Sequence, residues 1–417
     1  MFHNLWQLHN HLSRSGRCLA ECPWFGIFAA TLPVRGTPLS GFGGVLSARF
    51  SASSRRFAIS VSLPLAFLMD PVSAKTEVGF DARWLWVNVR GALTRNAIYN
   101  FSLSELGITI QPTLGYPQLQ LKELVHLGIP TNTGPFEYHP ANRCIYCDAT
   151  EYASGSDRDF GGEHIVAEAL GSPVLLPRAS CQRHECITAG IESRVLQRLF
   201  DPTRKQRDIR GKKPLLKGKF SVFRTIDGKS IGAPLPIGNH PTTLFLPRLG
   251  TPGILSGRPD WMHGVSGLFL VNLNAHADTL NRQRITSYST PSVDTIALAQ
   301  LFAKIGHAYA SAEVLAENFE PMLLDFIELK LKNVANENFR YQFWGGDESP
   351  LSPTPYLHEL GLGLAQSKSK LYLVARIRLF AFLGAPAYYV VVGAVPDDKR
   401  SAVMARLSQN NSRTHMR

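Results

Sequence analysis

The sequence predicts an α+β protein in which a small stapled module precedes a separate α+β domain. Three observations carry this reading. Four of the six cysteines fall between residues 144 and 186, at short spacings. An apolar pattern of helical period runs from Asp294 to about Ala316. Strand-like runs flank that helix, at Thr243–Leu249 and Gly267–Leu273 before it, and at Leu371–Phe382 and Tyr388–Val395 after it.

Taken in order, residues 1–69 have a composition of their own. They hold six Arg, nine Ser, no Lys and one acidic residue, Glu21. They read as a disordered arm or an over-long start, with Met69 as an alternative start; a transit peptide has the same bias. The apolar run Phe57–Met69 is short and broken by Pro64, so no membrane span is expected. Residues 70–138 read as an irregular lead-in. Ala82–Val89 is a short strand, Leu119–Leu127 a turn of helix, and Pro112, Pro117, Pro130 and Pro135 mark loop.

Residues 139–215 form the stapled module with a basic extension, and residues 216–396 the α+β domain. In that domain Asp294 caps a helix whose apolar stripe is Leu298, Leu301, Phe302, Ile305, Ala308, Tyr309 and Ala312. His307 reads as a core-edge histidine. Pro321 restarts a second helix through Lys330. The last two strand runs turn at Gly384-Ala385-Pro386, a hairpin signal. Residues 397–417 read as a frayed polar tail.

Lys plus Arg outnumber Asp plus Glu by 44 to 32, a formal charge of +12. That balance favours an anionic partner. Six cysteines in 417 residues exclude a disulfide scaffold. With no framework of disulfides and no membrane span, a cytoplasmic location is expected.

The clustered cysteines suit a metal. Cys144 and Cys147 form one CxxC knuckle. Thirty-three residues later comes Ser180-Cys181-Gln182-Arg183-His184-Glu185-Cys186. A two-residue gap lets both side chains of a knuckle converge on one ion, and thiolate with imidazole suits tetrahedral zinc. The second knuckle has two solutions. Cys181 with His184 keeps the two-residue gap, and Cys181 with Cys186 keeps four sulfurs. Four protein ligands leave no open position, so this zinc is structural.

Glu163-His164-Ile165 lies midway, with His164 seventeen residues after Cys147 and seventeen before Cys181. In an extended segment Glu163 and His164 point to opposite faces. After Cys181 the pattern turns helical, with Ile187, Ile191, Val195 and Leu199 at four-residue spacing and Ser180 as the expected N-cap. Arg183, Arg194 and Arg198 share another face. The helix runs into Arg204, Lys205, Arg207, Arg210, Lys212 and Lys213, a cluster suited to phosphate. Arg376 and Arg378, with Tyr388 and Tyr389 on the next strand, read as a solvated sheet face.

From Cys144 to about Glu192 the chain resembles the HNH endonucleases of zinc-knuckle, ββα-metal type, a treble-clef-like arrangement. The matching residues are Cys144 and Cys147, Glu163-His164-Ile165, and Cys181 with His184. Several bacterial HNH proteins also carry a run like Leu176-Pro177-Arg178-Ala179-Ser180-Cys181. The resemblance implies a metal-dependent nuclease that hydrolyses DNA phosphodiester bonds. It implies His164 as general base, with catalytic magnesium or manganese beside it on Glu163 and Glu185. Two positions depart from the pattern. Pro173 stands where the family has Asn, and Glu185 where it has Asn or His. An HNH-fold protein that binds nucleic acid with impaired catalysis, and a zinc-dependent interaction module, are the rival expectations.

Overall fold

Leu360, Leu362 and Leu364 alternate with Gly361, Gly363 and Ala365, and the segment forms a strand of twelve residues buried along most of its length. Such continuous burial marks the middle of a sheet covered on both faces. The protein is described here from a computed structural model. The described residues are 46–49, 57–63, 74–80, 84–90, 98–102, 122–130, 136–211, 218–226, 229–249, 253–256, 265–274, 277–289, 293–328, 342–346, 352–367 and 369–414.

In chain order, β1 (Leu46–Arg49), β2 (Phe57–Leu63), β3 (Ala74–Phe80) and β4 (Trp84–Arg90) are followed by β5 (Ile98–Ser102) and β6 (Lys122–Pro130). The module brings β7 (Phe136–Glu137), β8 (Gly161–His164), β9 (Val174–Ser180), α1 (Gln182–Arg198) and α2 (Asp201–Gln206). Then come β10 (Lys219–Ile226), β11 (Lys229–Pro236), β12 (Thr242–Leu249), α3 (Gly253–Ser256), β13 (Val265–Leu273), α4 (Ala277–Arg282), β14 (Ile285–Ser289) and β15 (Val293–Asp294). The chain closes with α5 (Thr295–Val314), β16 (Glu320–Pro321), α6 (Leu324–Ile327), β17 (Phe343–Gly345), β18 (Tyr356–Ser367), β19 (Lys370–Leu379), β20 (Tyr388–Val395) and α7 (Arg400–Thr414).

Among the described residues these strands make three sheets. One runs β1-β2-β3-β4-β14-β10-β11, with β15 on β4. The second runs β5-β13-β12-β17-β20-β19-β18-β6, with β16 on β20. The third is the small β7-β9-β8 sheet of the module. The expected strands at 243–249 and 267–273 pair antiparallel as β12 and β13, and the expected C-terminal hairpin is β19 with β20.

The expected capped helix is α5. The Asp294 carboxylate accepts a hydrogen bond from the Ala297 N–H at 2.9 Å. Its apolar stripe is buried except for the half-buried Ala312, and so is its polar stripe: Gln300, Lys304 and His307 are fully buried and Ser311 nearly so. The helix therefore lies inside the molecule, touching β19 and β20 on one side and α1 and α7 on others. Gly306 permits the approach to β19, since a Cβ there would sit 3.3 Å from the Ala375 Cβ.

Several expectations are corrected. Within 1–69, β1 and β2 pair with each other and β2 pairs with β3, so part of the arm belongs to a sheet. Residues 70–138 supply β3 to β6 rather than an irregular lead-in. Of the helix turn expected at Leu119–Leu127, the described residues from Lys122 on belong to strand β6, which pairs along β18 and buries Val125 and Ile129; residues 119–121 lie outside the described residues. Of the second helix expected through Lys330, the described residues show the single turn α6, and residues 329 and 330 lie outside them. Of the expected frayed tail at 397–417, residues 400–414 form α7, with Val403 and Leu407 fully buried, and residues 415–417 lie outside the described residues. The boundary at 215/216 is not a gap in packing, since one apolar cluster joins Ile165, Ile191 and Phe200 to Phe302, Leu360 and Phe380. Residues 43–417 form one compact unit.

Candidate metal centre and histidine strand

Cys144 opens a tight turn. Its N–H donates to the Ala149 carbonyl and its own carbonyl accepts from the Asp148 N–H, each at 2.9 Å, with Asp148 at φ 55°. That turn brings Cys147 back over Cys144. On the other side Cys181, not Ser180, is the N-cap of α1. His184 follows three residues on, so one helical turn stacks it on the same side as Cys181.

The four donor atoms of Cys144, Cys147, Cys181 and His184 lie within 4.8 Å of one another. The Cys147 and Cys181 sulfurs are 3.8 Å apart. The His184 Nδ1 is 3.5 Å from the Cys144 sulfur and 3.3 Å from that of Cys181. Two sulfurs at ~2.3 Å from a tetrahedral zinc are themselves about 3.8 Å apart. The donor set and its spacing fit zinc. Burial pushes the Cys144 thiol up to about 12, so a cation is what would favour its thiolate. Cys186 is exposed and outside the quartet, and His184 is the second-knuckle residue that lies with Cys144, Cys147 and Cys181.

The far side of the His184 ring is also held. Its Nε2 lies 3.0 Å from the Glu328 Oε1, and the other Glu328 oxygen accepts from the Arg183 guanidinium. Tyr146 stacks on the ring at 5.2 Å between centroids.

β8, β9 and α1 follow one another as strand, antiparallel strand and helix, with His164 opposite Leu175. The expected alternation holds: the His164 side chain is 29% exposed and that of Glu163 5%. The His164 Nε2 faces the Glu168 Oε2 at 3.7 Å. Glu163 turns inward to Lys304, whose Nζ is 2.6 Å from the Glu163 Oε1 and 2.8 Å from the Glu192 Oε1. The same ammonium donates to the His164 carbonyl.

This corrects the magnesium site. Glu163 does not share a face with His164, and its carboxylate is committed to an ammonium. Glu185 is elsewhere too. It accepts from the Tyr152 hydroxyl at 2.6 Å, lies 3.5 Å from an Arg158 nitrogen, and neighbours Gly161. Gly161 and His164 are three strand residues apart, about 10 Å. Among the described residues no group of three or more His, Cys, Asp or Glu side chains besides the Cys3His quartet lies close enough together to hold a metal. With Glu163 on Lys304 and Glu185 on Tyr152, the two side chains expected to hold magnesium or manganese are not gathered beside His164.

No family model matches the chain, and no curated protein and no solved structure matches it either. Among the described residues no helix is long and apolar enough to cross a membrane.

The basic cluster divides. Arg204 is buried and its Nε donates to the Ala169 carbonyl at 2.6 Å. Burial holds its guanidinium below the usual arginine range. Arg194 donates to Gln300 at 2.6 Å, Lys205 pairs with Asp201 at 2.7 Å, Arg210 with Asp208, and Arg183 with Glu328. Arg204, Arg194 and Lys205 are thus tied into the fold, whereas Arg183 and Arg210 are exposed despite their ion pairs. Arg198 and Arg207 are exposed. Lys212 and Lys213 lie outside the described residues. Arg376 and Arg378 are not a solvated face: both reach Glu359, at 3.5 and 3.3 Å, and Arg378 is buried.

Glu328, Glu192, Glu168 and Lys304 escaped sequence reasoning. Lys304 carried a signal. It is the lone charge between Asp294 and Glu313, in an otherwise apolar helix, and a fully buried lysine needs partners.

Proposed function

We propose that residues 139–215 act on nucleic acid as a zinc-stapled HNH-type module, with DNA phosphodiester hydrolysis as the reaction and His164 as its general base. One observation carries the reading: the four donors of a Cys3His quartet, on the turn at Cys144 and the start of α1, lie within 4.8 Å of one another, and the strand–strand–helix order between them leaves His164 half-buried at the end of β8. The zinc holds shape and does no chemistry, because its four ligands leave no open position.

A neutral imidazole at His164 takes the proton of an attacking water. The Glu168 carboxylate, 3.7 Å from Nε2, favours the imidazolium so formed. Arg198 and Arg207 supply phosphate contacts without sequence preference. No step is assigned to magnesium, since Glu163 is held by Lys304.

That same ion pair favours a second reading, an HNH-fold protein that binds nucleic acid with impaired catalysis. Plasmid nicking by the full chain, beside His164→Ala, decides. Nicking that depends on His164 supports hydrolysis. A salt-dependent DNA shift with no nicking supports the second reading, and neither result supports an interaction module.

A further inference from the structure

We propose that the Lys304 ammonium is a resident cation in an oxygen cage of Glu163, Glu192 and the His164 carbonyl, filling a position whose ligands suit a divalent metal ion. The cage is made of the donors that hard cations take: two carboxylates and a backbone carbonyl. The Ile165 carbonyl lies 3.4 Å from the same nitrogen. Lys304 and Glu163 are almost wholly buried and Glu192 is 21% exposed, so this is not a stray surface pair.

The cage and its cation come from different parts of the chain. Glu163 and Glu192 belong to β8 and α1, and Lys304 reaches them from α5. Bonds on both sides hold α5 in place. Four residues before Lys304, Gln300 donates to the Phe326 carbonyl and accepts from Arg194. Three residues after it, His307 Nε2 donates to the Ile145 carbonyl at 2.7 Å. The ammonium is thus delivered at a fixed depth.

Charge balance points the same way. One ammonium balances only one of the two carboxylates, and burial pushes the Glu163 carboxyl above its usual range, whereas a divalent ion cancels both charges. Burial works against a charged lysine, but the two carboxylates outweigh it and hold Lys304 above the ordinary lysine range. Truncating Lys304 removes the cation, leaves both carboxylates, and opens the space its side chain filled. This stands apart from the His164 chemistry proposed above, because metal binding is its readout and cleavage is not.

The test titrates Mn2+ into the zinc-loaded full chain, read by electron paramagnetic resonance and by Tm. The wild type is expected to bind no Mn2+ at this position. Lys304→Ala is expected to melt lower than the wild type, to gain one Mn2+ site, and to recover Tm as Mn2+ is added. Adding Glu192→Gln to that variant should weaken Mn2+ by about tenfold or more. Lys304→Met, which keeps the space filled, should gain no site. The proposal fails if the wild type already binds Mn2+ in a way that Glu163→Gln abolishes. It also fails if Lys304→Ala gains neither a site nor Tm, or does not fold even in Mn2+.

Discussion

The imidazole of His184 is gripped on both edges: its Nδ1 faces two cysteine sulfurs and its Nε2 lies 3.0 Å from Glu328. A carboxylate on the far nitrogen fixes the tautomer that presents a lone pair to the metal. Glu328 stands more than 140 residues from His184, just after α6.

One zinc per chain is therefore expected by elemental analysis. Glu328→Gln should weaken zinc by about 10- to 100-fold, measured by competition with a chromophoric chelator. Cys186→Ser should leave zinc unchanged, because Cys186 is exposed and outside the quartet. Equal zinc affinity in Glu328→Gln and wild type would show that Glu328 does not orient the ligand.

His164→Ala should fold and keep its zinc, since His164 is not in the quartet. If the wild type nicks plasmid DNA, the variant should be slower by about 100- to 10,000-fold. Its DNA affinity should barely change. A variant that nicks as fast as wild type removes His164 from the mechanism.

Acid should unfold the protein partly through His358. This buried ring donates from Nε2 to the Leu170 carbonyl at 2.9 Å and accepts at Nδ1 from the Phe380 N–H at 3.2 Å. Both nitrogens are satisfied only in the neutral form, and burial pushes the pKa down to about 4. The unfolded chain takes up the proton first, near pH 6.5. The contribution is thus complete above that pH and is lost as pH falls toward 4. About 2 kcal/mol should go by pH 5. Urea unfolding of wild type and His358→Leu checks this: the variant is less stable at pH 7 and has a flatter pH profile over this range. Parallel profiles would show that His358 does not titrate with folding.

The basic residues should separate by role. Arg204→Gln loses the bond to the Ala169 carbonyl and should destabilise by about 1–3 kcal/mol in urea, leaving the salt dependence of DNA binding unchanged. Replacing Arg198 and Arg207 together by Gln should cost less stability than Arg204→Gln, because both side chains are exposed. The log–log salt slope should fall by ~1.8 units if each meets one phosphate. An unaltered slope would place DNA, if it binds, on another face.

The zinc quartet could be read from the sequence because ligand spacing is local. Two residues separate the partners in each knuckle, and a turn or one helical turn does the rest. The capped helix at Asp294 and the strands around Thr243 and Tyr388 are legible for the same reason. Lys304 announces that it needs partners but not which ones, since Glu163 and Glu192 lie more than a hundred residues away. The magnesium expectation failed there: a dipeptide pattern shows which face Glu163 takes, not what waits on that face. The helix at 400–414 was hidden by composition, with Val403 and Leu407 four residues apart among polar neighbours.

The buried polar stripe of α5 also sets an order of events during synthesis. Lys304 leaves the ribosome some 140 residues after the His164 carbonyl it bonds. At typical elongation rates that is a delay of about 7 to 28 s. For most of it, once His184 has emerged, the nascent knuckles hold every zinc ligand, while Glu163 and Glu192 have no ammonium between them and the carboxylate that steadies His184 is not yet made. Metal capture can therefore precede the closing of the core, and the lysine arrives last, like a bolt.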